Sequence, residues 1–515
     1  MLSAALIVAI GIAFVAPLGH ELRYPLYPQD EGLLLVYPSL ILHGAVPDRT
    51  FESVYGVTNL WIIAAAFKLV GYSLAVERGV GILYRFVILV SLVWLAWRHR
   101  GPVAALVSAA IFLVLIAGTW ALAAYGWICA LAFVSLAFLL MDIGLNNKTR
   151  RLPVVMAGVC LGIAVGARID MALAIALVIA ALFVTYRKSL GWLLPGLAIG
   201  LVPLLVSILQ AGLPAVIRDQ ILNPIFVSGR SRRLPLSSLT RQDLTLLILC
   251  VGVAIASVVA GVVLIRKYRN EWAPVLLLSF GVFELGILPE AFQRADALHL
   301  LLVGAFILPG AVMLPTQWQR PPANSFLGRL GLFPLTMGVV VLVLAQPYFG
   351  DIYWSSVWFN SADVPLHKVS NEGRSVLVGS AQDQSHLTAL LADLDSRAHR
   401  GEQVFVGPLN LRTANYNDTY IYFLLPQLTP GSFYLEMNPG EANGKNSQLA
   451  ANLREDDFLI LTNRYDNLPD PDPSTRIGPN APNMVVRTEF QQIAQEGPWR
   501  LYDRKIPRIS NAAVR

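Results

Sequence analysis

The sequence predicts a polytopic α-helical membrane protein with a soluble α/β domain at its C-terminal end. Three observations carry that reading. Of the 515 residues, 55% are hydrophobic and only 14% are charged. Apolar runs of roughly 20 residues, the length that crosses a bilayer as a helix, follow one another through the first 347 residues. After residue 348 Asp, Asn, Gly, Pro and Arg become common. The mean hydropathy of +0.58 is far too high for a soluble chain of this length.

Helices are expected near 2–19, 79–97, 102–119, 126–142, 152–167, 169–186, 190–210, 244–265, 272–288, 298–315 and 328–347, about eleven spans at roughly 20 residues each. The first run has no Lys or Arg before it and no small-x-small cleavage site, so it reads as a spanning helix rather than a secretory signal. Cys129, Cys160 and Cys250 all lie inside apolar runs and read as buried small hydrophobes, not as a disulfide framework or a thiolate metal site.

The charge fixes an orientation. There are 39 Lys and Arg against 33 Asp and Glu, a net charge of +6; in a membrane protein such an excess marks cytoplasmic loops and does not argue for nucleic acid. Basic clusters at Arg98-His99-Arg100, Lys148 with Arg150 and Arg151, Arg187-Lys188, Arg266-Lys267 with Arg269, and Arg320 with Arg329 fall in every second loop. This places the chain in the cytoplasmic (inner) membrane with its N-terminus in the cytoplasm and residues 348–515 outside. One outer loop, 211–243, breaks the rule with Arg218, Arg230, Arg232, Arg233 and Arg241. Either those arginines bind an anion, or a loop of that length simply tolerates charge.

The first outer loop, 19–78, holds two apolar pieces, Gly32–Leu42 and Val57–Val70, interrupted by Pro38, His43-Gly44, Pro47-Asp48 and Lys68. They are expected to lie as helices along the outer interface; a full crossing by 57–70 would invert every later loop. In the soluble domain, Val404–Val406, Tyr420–Leu425, Phe433–Leu435 and Phe458–Leu461 read as strands, and His386–Ala398 and Ser447–Arg454 as helices. Tyr416, Tyr420, Tyr422 and Tyr434 read as exposed aromatics, suited to strand packing or to stacking on a sugar.

Ionisable residues gather at the outer ends of the helices: Asp30 and Glu31; Asp48, Arg49 and Glu52; Arg78; Tyr125; Arg168 and Asp170; the arginine-rich loop; and Glu290, Arg294, Asp296 and His299. A charged group near hydrocarbon costs about 2.5–3.5 kcal/mol on insertion scales, so such residues are functional candidates by default. Asp296 and His299, three apart, share a helix face; as a zinc site they lack a third ligand at recognisable spacing. An enzyme outside the cytoplasmic membrane has no nucleotide-sugar pool and needs a donor that travels in the bilayer, such as a sugar on a polyprenyl phosphate. A departing phosphate needs cations, which arginines supply bidentately, while one carboxylate takes the acceptor's proton.

At these residues the chain resembles the GT-C glycosyltransferases, polytopic enzymes that use lipid-phosphate sugars and carry an acidic motif in the first outer loop. The resemblance covers the arrangement of the first 350 residues or so. It rests on Asp30-Glu31-Gly32, on the run from Gly44 through Pro47-Asp48-Arg49-Thr50-Phe51-Glu52 to Tyr55-Gly56, and on Val76-Glu77-Arg78. The middle run is similar to the G-x-x-P-Y-x-D-F-x-x-x-Y-x-P segment of the class, departing where Asp48 directly follows Pro47 and where Gly56-Val57 replaces the usual Pro.

The resemblance implies Asp30 as the base, with Glu31 as the alternative holder of that role, and Asp48 and Glu52 as a second acid or the neighbours of a metal, a divalent cation being left open. It implies Arg78, Arg168, Arg230, Arg232, Arg233 and Arg294 as ligands of the donor phosphate, with Asp170, Asp296 and His299 as polar neighbours. Its partners would be a polyprenyl-phosphate sugar, membrane lipids, and a glycan, lipid or protein acceptor engaged with help from the soluble domain. The alternative is a non-enzymatic lipid-linked glycan flippase or envelope-assembly protein. A transporter strings its ionisable groups along a path near the midplane, whereas these lie mainly at one edge, which favours the transferase.

Overall fold

Apolar runs become helices where their length and pattern place them. The computed structural model describes residues 2–16, 18–53, 56–117, 122–146, 150–268, 271–314, 367–414, 416–466 and 477–506. Within them, ten of the eleven expected spans are helical, from Leu2–Val15 to Ala297–Gly310; the eleventh, 328–347, lies outside the described residues. Five stretches are long and apolar enough to cross a membrane: Leu74–Arg100, Gly126–Asn146, Met171–Ala211, Arg241–Lys267 and Trp272–Gln293. Shorter apolar helices such as Pro102–Ile116 and Arg151–Ala167 pack among them.

Small residues set how closely these helices approach, as expected where burial from water supplies little drive. Gly158 on Arg151–Ala167 and Gly196 on Leu190–Gly200 face each other so tightly that a Cβ on Gly158 would lie 2.1 Å from the Leu193 carbonyl oxygen, and one on Gly196 would lie 2.0 Å from that of Val155.

Both apolar pieces of the 19–78 loop are helices, Asp30–Leu42 and Val57–Val70. A buried charge network holds them. Arg78, fully buried on Leu74–Arg100, donates through Nε and Nη2 to both Glu31 oxygens at 2.6 and 2.9 Å, and through Nη1 to the carbonyls of Glu21, Leu22 and Tyr24. Arg85 donates to the carbonyls of Gly81, Leu122 and Ala123, and Glu77 accepts from the Ala124 N–H at 2.6 Å. At the other end of the bundle, buried Asp142 accepts from Trp272 Nε1 at 3.1 Å and pairs with Arg98 and His99.

The C-terminal part begins in a hairpin of β1 (His367–Asn371) and β2 (Arg374–Val378). A five-stranded sheet follows, built from β3 (Gln403–Pro408), β4 (Thr429–Pro430), β5 (Phe458–Thr462), β6 (Phe490–Glu496) and β7 (Trp499–Arg504) in the order β4-β3-β5-β7-β6. β3 runs parallel to β4 and β5; the β5–β7 and β7–β6 pairs are antiparallel. All five residues of β5 are buried, as a central strand covered on both faces requires.

Two strand expectations fail. Tyr420–Leu424 is a helix, wholly buried, and Phe433–Leu435 lies outside any strand. An apolar run this short is read by its surroundings, and packing of Tyr420–Leu424 against Asp30–Leu42 overrides its strand propensity. Tyr420, Tyr422 and Tyr434 are therefore core residues rather than exposed aromatics. One hydrophobic core runs from the membrane helices through Tyr420–Leu425 into β3 and β5, with a smaller second core around Phe405, Met437 and Leu459. Backbone bonds from Leu26 N–H to the Leu377 carbonyl (2.9 Å) and from Glu52 N–H to the Phe433 carbonyl (2.8 Å) lock the 19–78 loop onto the sheet domain.

Candidate active site

Helix ends and turns deliver the polar side chains to one place. Asp30 is the first residue of Asp30–Leu42, and only 8% of it is exposed. The turn between Trp272–Gln293 and Ala297–Gly310 supplies Arg294 and Asp296, and the first turn of the second helix supplies His299. Asp296 caps the second helix: its Oδ1 accepts from the His299 N–H at 2.9 Å and lies 2.8 Å from His299 Nδ1, while Oδ2 accepts from Arg294 Nε at 2.9 Å. The i, i+3 pair of the sequence is thus a helix cap that orients an imidazole and a guanidinium. In the turn after Arg151–Ala167, Arg168 Nε donates to Asp170 at 3.1 Å and Nη2 to Glu290 at 3.2 Å.

These groups surround a cavity of about 470 Å³ that Asp30, Arg168, Asp170, Arg232, Glu290, Arg294 and His299 all line. Its remaining walls divide by polarity. Ile169, Ala172, Leu173, Ile221 and Ile225 form an apolar side, on which Leu173 and Ile225 are 58% and 56% exposed at the surface of the helix bundle. This side includes a π-helix, Arg218–Ser228, with Pro224 inside it. Such widened turns arise where a regular ladder is interrupted, often at functional sites.

The sheet domain closes the cavity with Tyr416, Glu436 and Asn438. Arg294 Nη2 donates to Tyr416 Oη at 3.4 Å, and Arg232 Nη1 to Glu436 Oε1 at 3.5 Å. Between Glu436 and Asn438 the backbone of Met437 takes a left-handed φ of 59°, rare for a bulky residue, and this strain sits at the cavity wall. Sequence reasoning passed over Gln220, Glu436 and Asn438. The one available signal was Glu436 itself, an acid inside the apolar run Phe433–Met437.

Charge in the cavity is arranged around Asp30. No described residue hydrogen-bonds its carboxylate. Burial raises its pKa from 3.8, against the pull of Arg232, Arg294 and His299. Burial likewise pushes Glu436 up to about 7 although Arg232 opposes it. Asp296 goes the other way: burial works against its charge, but the bonds from His299 and the nearby Arg294 outweigh that and hold it at about 2. Asp296 is thus kept ionised by its partners, whereas Asp30, among the described residues, is held only by the surrounding field.

Other predicted residues stand apart. Glu31 is turned away from the cavity into its pair with Arg78, and both are fully buried, so neither lines it. Arg230 stacks over Phe226 and, like Arg233, is exposed outside the lining. Asp48 sits in a left-handed turn, φ 62°, where it accepts from Gln220 Nε2 at 2.6 Å and from the Ser53 N–H. Glu52 is buried beside Glu441, Asp219 and Glu436, next to the cavity but not in it. Among the described residues, no three His, Cys, Asp or Glu side chains are grouped so as to hold a metal ion.

The helix arrangement, with a sheet domain over one end and a polar cavity beneath it, is the GT-C-like fold that the sequence leads one to expect. Solved structures bear this out along nearly the whole chain. ArnT from Cupriavidus metallidurans in the apo state superposes with a TM-score of 0.53 at 13% identity over 97% of both chains, and the same protein bound to undecaprenyl phosphate with 0.51 at 12% over the same shares. The archaeal oligosaccharyltransferase AglB from Archaeoglobus fulgidus, in complex with an inhibitory peptide and a dolichol-phosphate, gives 0.54 at 10% identity over 98% of this chain and 75% of its own. The likeness is one of fold. No family model and no curated protein matches the sequence.

Proposed function

We propose that the protein is a glycosyltransferase that moves a sugar from a polyprenyl-phosphate donor to an acceptor hydroxyl on the outer face of the cytoplasmic membrane. The observation that carries this reading is Asp30, buried yet free of hydrogen bonds from described residues, opening onto a cavity it shares with Arg232, Arg294 and His299. The two solved relatives hold undecaprenyl phosphate and dolichol-phosphate, and an amphiphile of that kind suits a cavity with one polar end and one apolar side open at the bundle surface.

In this reading the polyprenyl chain lies along Leu173, Ile221 and Ile225, and its phosphate meets Arg232 and Arg294, with Arg168 across the cavity. The acceptor oxygen attacks the anomeric carbon as the bond from that carbon to the phosphate oxygen breaks. Asp30 takes the acceptor's proton, and the electron pair leaves with the phosphate. The raised pKa of Asp30 suits a base, because proton affinity rises with pKa. Its neighbouring guanidiniums stabilise the charge that gathers on the departing phosphate. A single displacement of this kind inverts the anomeric centre.

The test is genetic and chemical. A strain lacking the protein accumulates one lipid-linked sugar, and the wild-type gene clears it while Asp30→Asn does not. No accumulation, or clearance by Asp30→Asn, would remove the reading.

A further inference from the structure

Among the described residues, no side chain holds Asp30 directly. Its carboxylate takes no hydrogen bond from described residues, so its position depends on the backbone that carries it. On one side that backbone is fixed by Glu31, whose oxygens are gripped by Arg78. On the other side the helix cap, Gln29, makes no capping bond with its own side chain; its carbonyl accepts the Leu33 N–H of the helix at 2.9 Å, and its other ties come from the C-terminal domain.

Two of three consecutive buried residues, Asn417 and Thr419, make those ties, and Asp418 between them anchors the segment to the sheet. The Asn417 N–H donates to Gln29 Oε1 at 2.9 Å. The Thr419 hydroxyl donates to the Gln29 carbonyl at 2.7 Å and lies 3.0 Å from that of Pro28. Asn417 Nδ2 reaches the other way, to the Val406 carbonyl on β3 at 2.9 Å and to that of Leu435. Asp418, between them, accepts from Tyr465 Oη at 2.5 Å and from Trp499 Nε1 on β7 at 2.7 Å.

The fit past Asp30 is just as close. Gly32 lies against this segment so tightly that a Cβ there would come 2.5 Å from Thr419 Oγ1 and 2.7 Å from the Tyr420 nitrogen. The side chains of Asn417 and Asp418 thus hold this segment to the sheet domain, while the Asn417 N–H, the Thr419 hydroxyl and the close fit at Gly32 join it to the residues on either side of Asp30; Tyr416, one position earlier, lines the cavity.

We infer that the 416–420 segment of the C-terminal domain is the positioning bracket for Asp30: Asn417 and Thr419 act through Gln29 to aim a carboxylate that no described side chain holds directly. The inference rests on the transferase reading given above. It makes the sheet domain part of the catalytic apparatus, in addition to any acceptor it engages.

The experiment uses the full-length protein in detergent and the lipid-linked sugar purified from the deletion strain. Thr419→Val removes the hydroxyl at nearly constant volume, and Thr419→Ser keeps it; Gln29→Met cuts the Asn417 tie and leaves Thr419 in place. In Thr419→Val and Gln29→Met, kcat falls by about a hundredfold, the scale on which a small misplacement of a reacting group acts, while KM for the donor stays near the wild-type value. Thr419→Ser restores kcat. Hydrogen exchange in the folded variants rises across residues 28–33 and not in β3 or β5.

Wild-type kcat in both variants, or exchange that rises throughout the C-terminal domain, overturns the bracket. If the wild-type protein transfers nothing, the transferase reading is the one that fails. The exchange comparison of Val with Ser at 419 then still decides whether the segment orders Asp30: a local rise in Val alone upholds the ordering, and no difference ends it.

Discussion

At the scale of single residues, neighbours in sequence have opposite fates here. Asp30 and Glu31 are equivalent by type, yet successive residues on a helix point about 100° apart, so one opens onto the cavity and the other enters the pair with Arg78. That Asp30 is a candidate was legible, because an acid at a membrane edge is costly to retain. That Glu31 pairs with Arg78 was not, because its partner lies 47 positions away. The arginines divide in the same manner. Arg232 and Arg294 line the cavity, while Arg230 and Arg233 do not. Replacing Arg232 or Arg294 by Ala is expected to raise KM for the donor at least tenfold, the scale of a charge-assisted bond worth about 1.5–3 kcal/mol. Arg230→Ala and Arg233→Ala leave KM within about twofold. Equal losses at all four positions, in a transfer assay on purified protein, would show that these arginines attract the lipid by charge alone.

At the scale of elements, the helices were readable from hydrophobic runs and the turns from breaks in them, since a bilayer dictates both. What escaped was anything decided by distant contact. Tyr420–Leu424 folds as a helix because it packs on Asp30–Leu42, and nothing in its own five residues records that. The Glu436–Asn438 turn reaches the cavity for a similar reason: only the docked sheet domain brings it there. The 19–78 loop, in turn, depends on Arg78. Removing one member of a buried ion pair leaves a lone charge and costs about 3–5 kcal/mol, so Glu31→Gln and Arg78→Met are both expected to lower the midpoint of thermal unfolding in detergent sharply. Unfolding at the wild-type temperature in either variant would mean that the network does not secure the loop.

At the scale of the whole molecule, the two parts are welded by buried carboxyls as well as by apolar packing. Burial pushes Asp48 up to about 7 from 3.8, despite the Gln220 hydrogen bond, and Glu436 up to about 7 from 4.5; Glu52 is also raised, first by burial and then by its contact with Glu441. When folded, Asp48 and Glu436 keep their protons up to near neutrality, whereas the unfolded chain releases them at about 4. The folded state therefore binds more protons between those limits, and stability declines as pH rises from about 4 to about 7, then levels off. The unfolding midpoint is expected to be lower at pH 7.5 than at pH 5.5, with a smaller difference in Asp48→Asn. A midpoint that rises over this interval would contradict the burial of these acids as described.

These scales meet in one claim: Asp30 performs chemistry in a cavity that other residues build and fill. The most direct measurement compares purified wild-type protein with Asp30→Asn in a single-turnover assay on the accumulated lipid-linked sugar, with lipid binding measured in parallel. The account predicts donor binding within about twofold of wild type, since Asp30 is not among the groups that hold the phosphate, and loss of transfer by a factor of about a thousand, at the middle of the range for general-base removal. Transfer by Asp30→Asn at the wild-type rate, with the sugar delivered to the same acceptor, would contradict it.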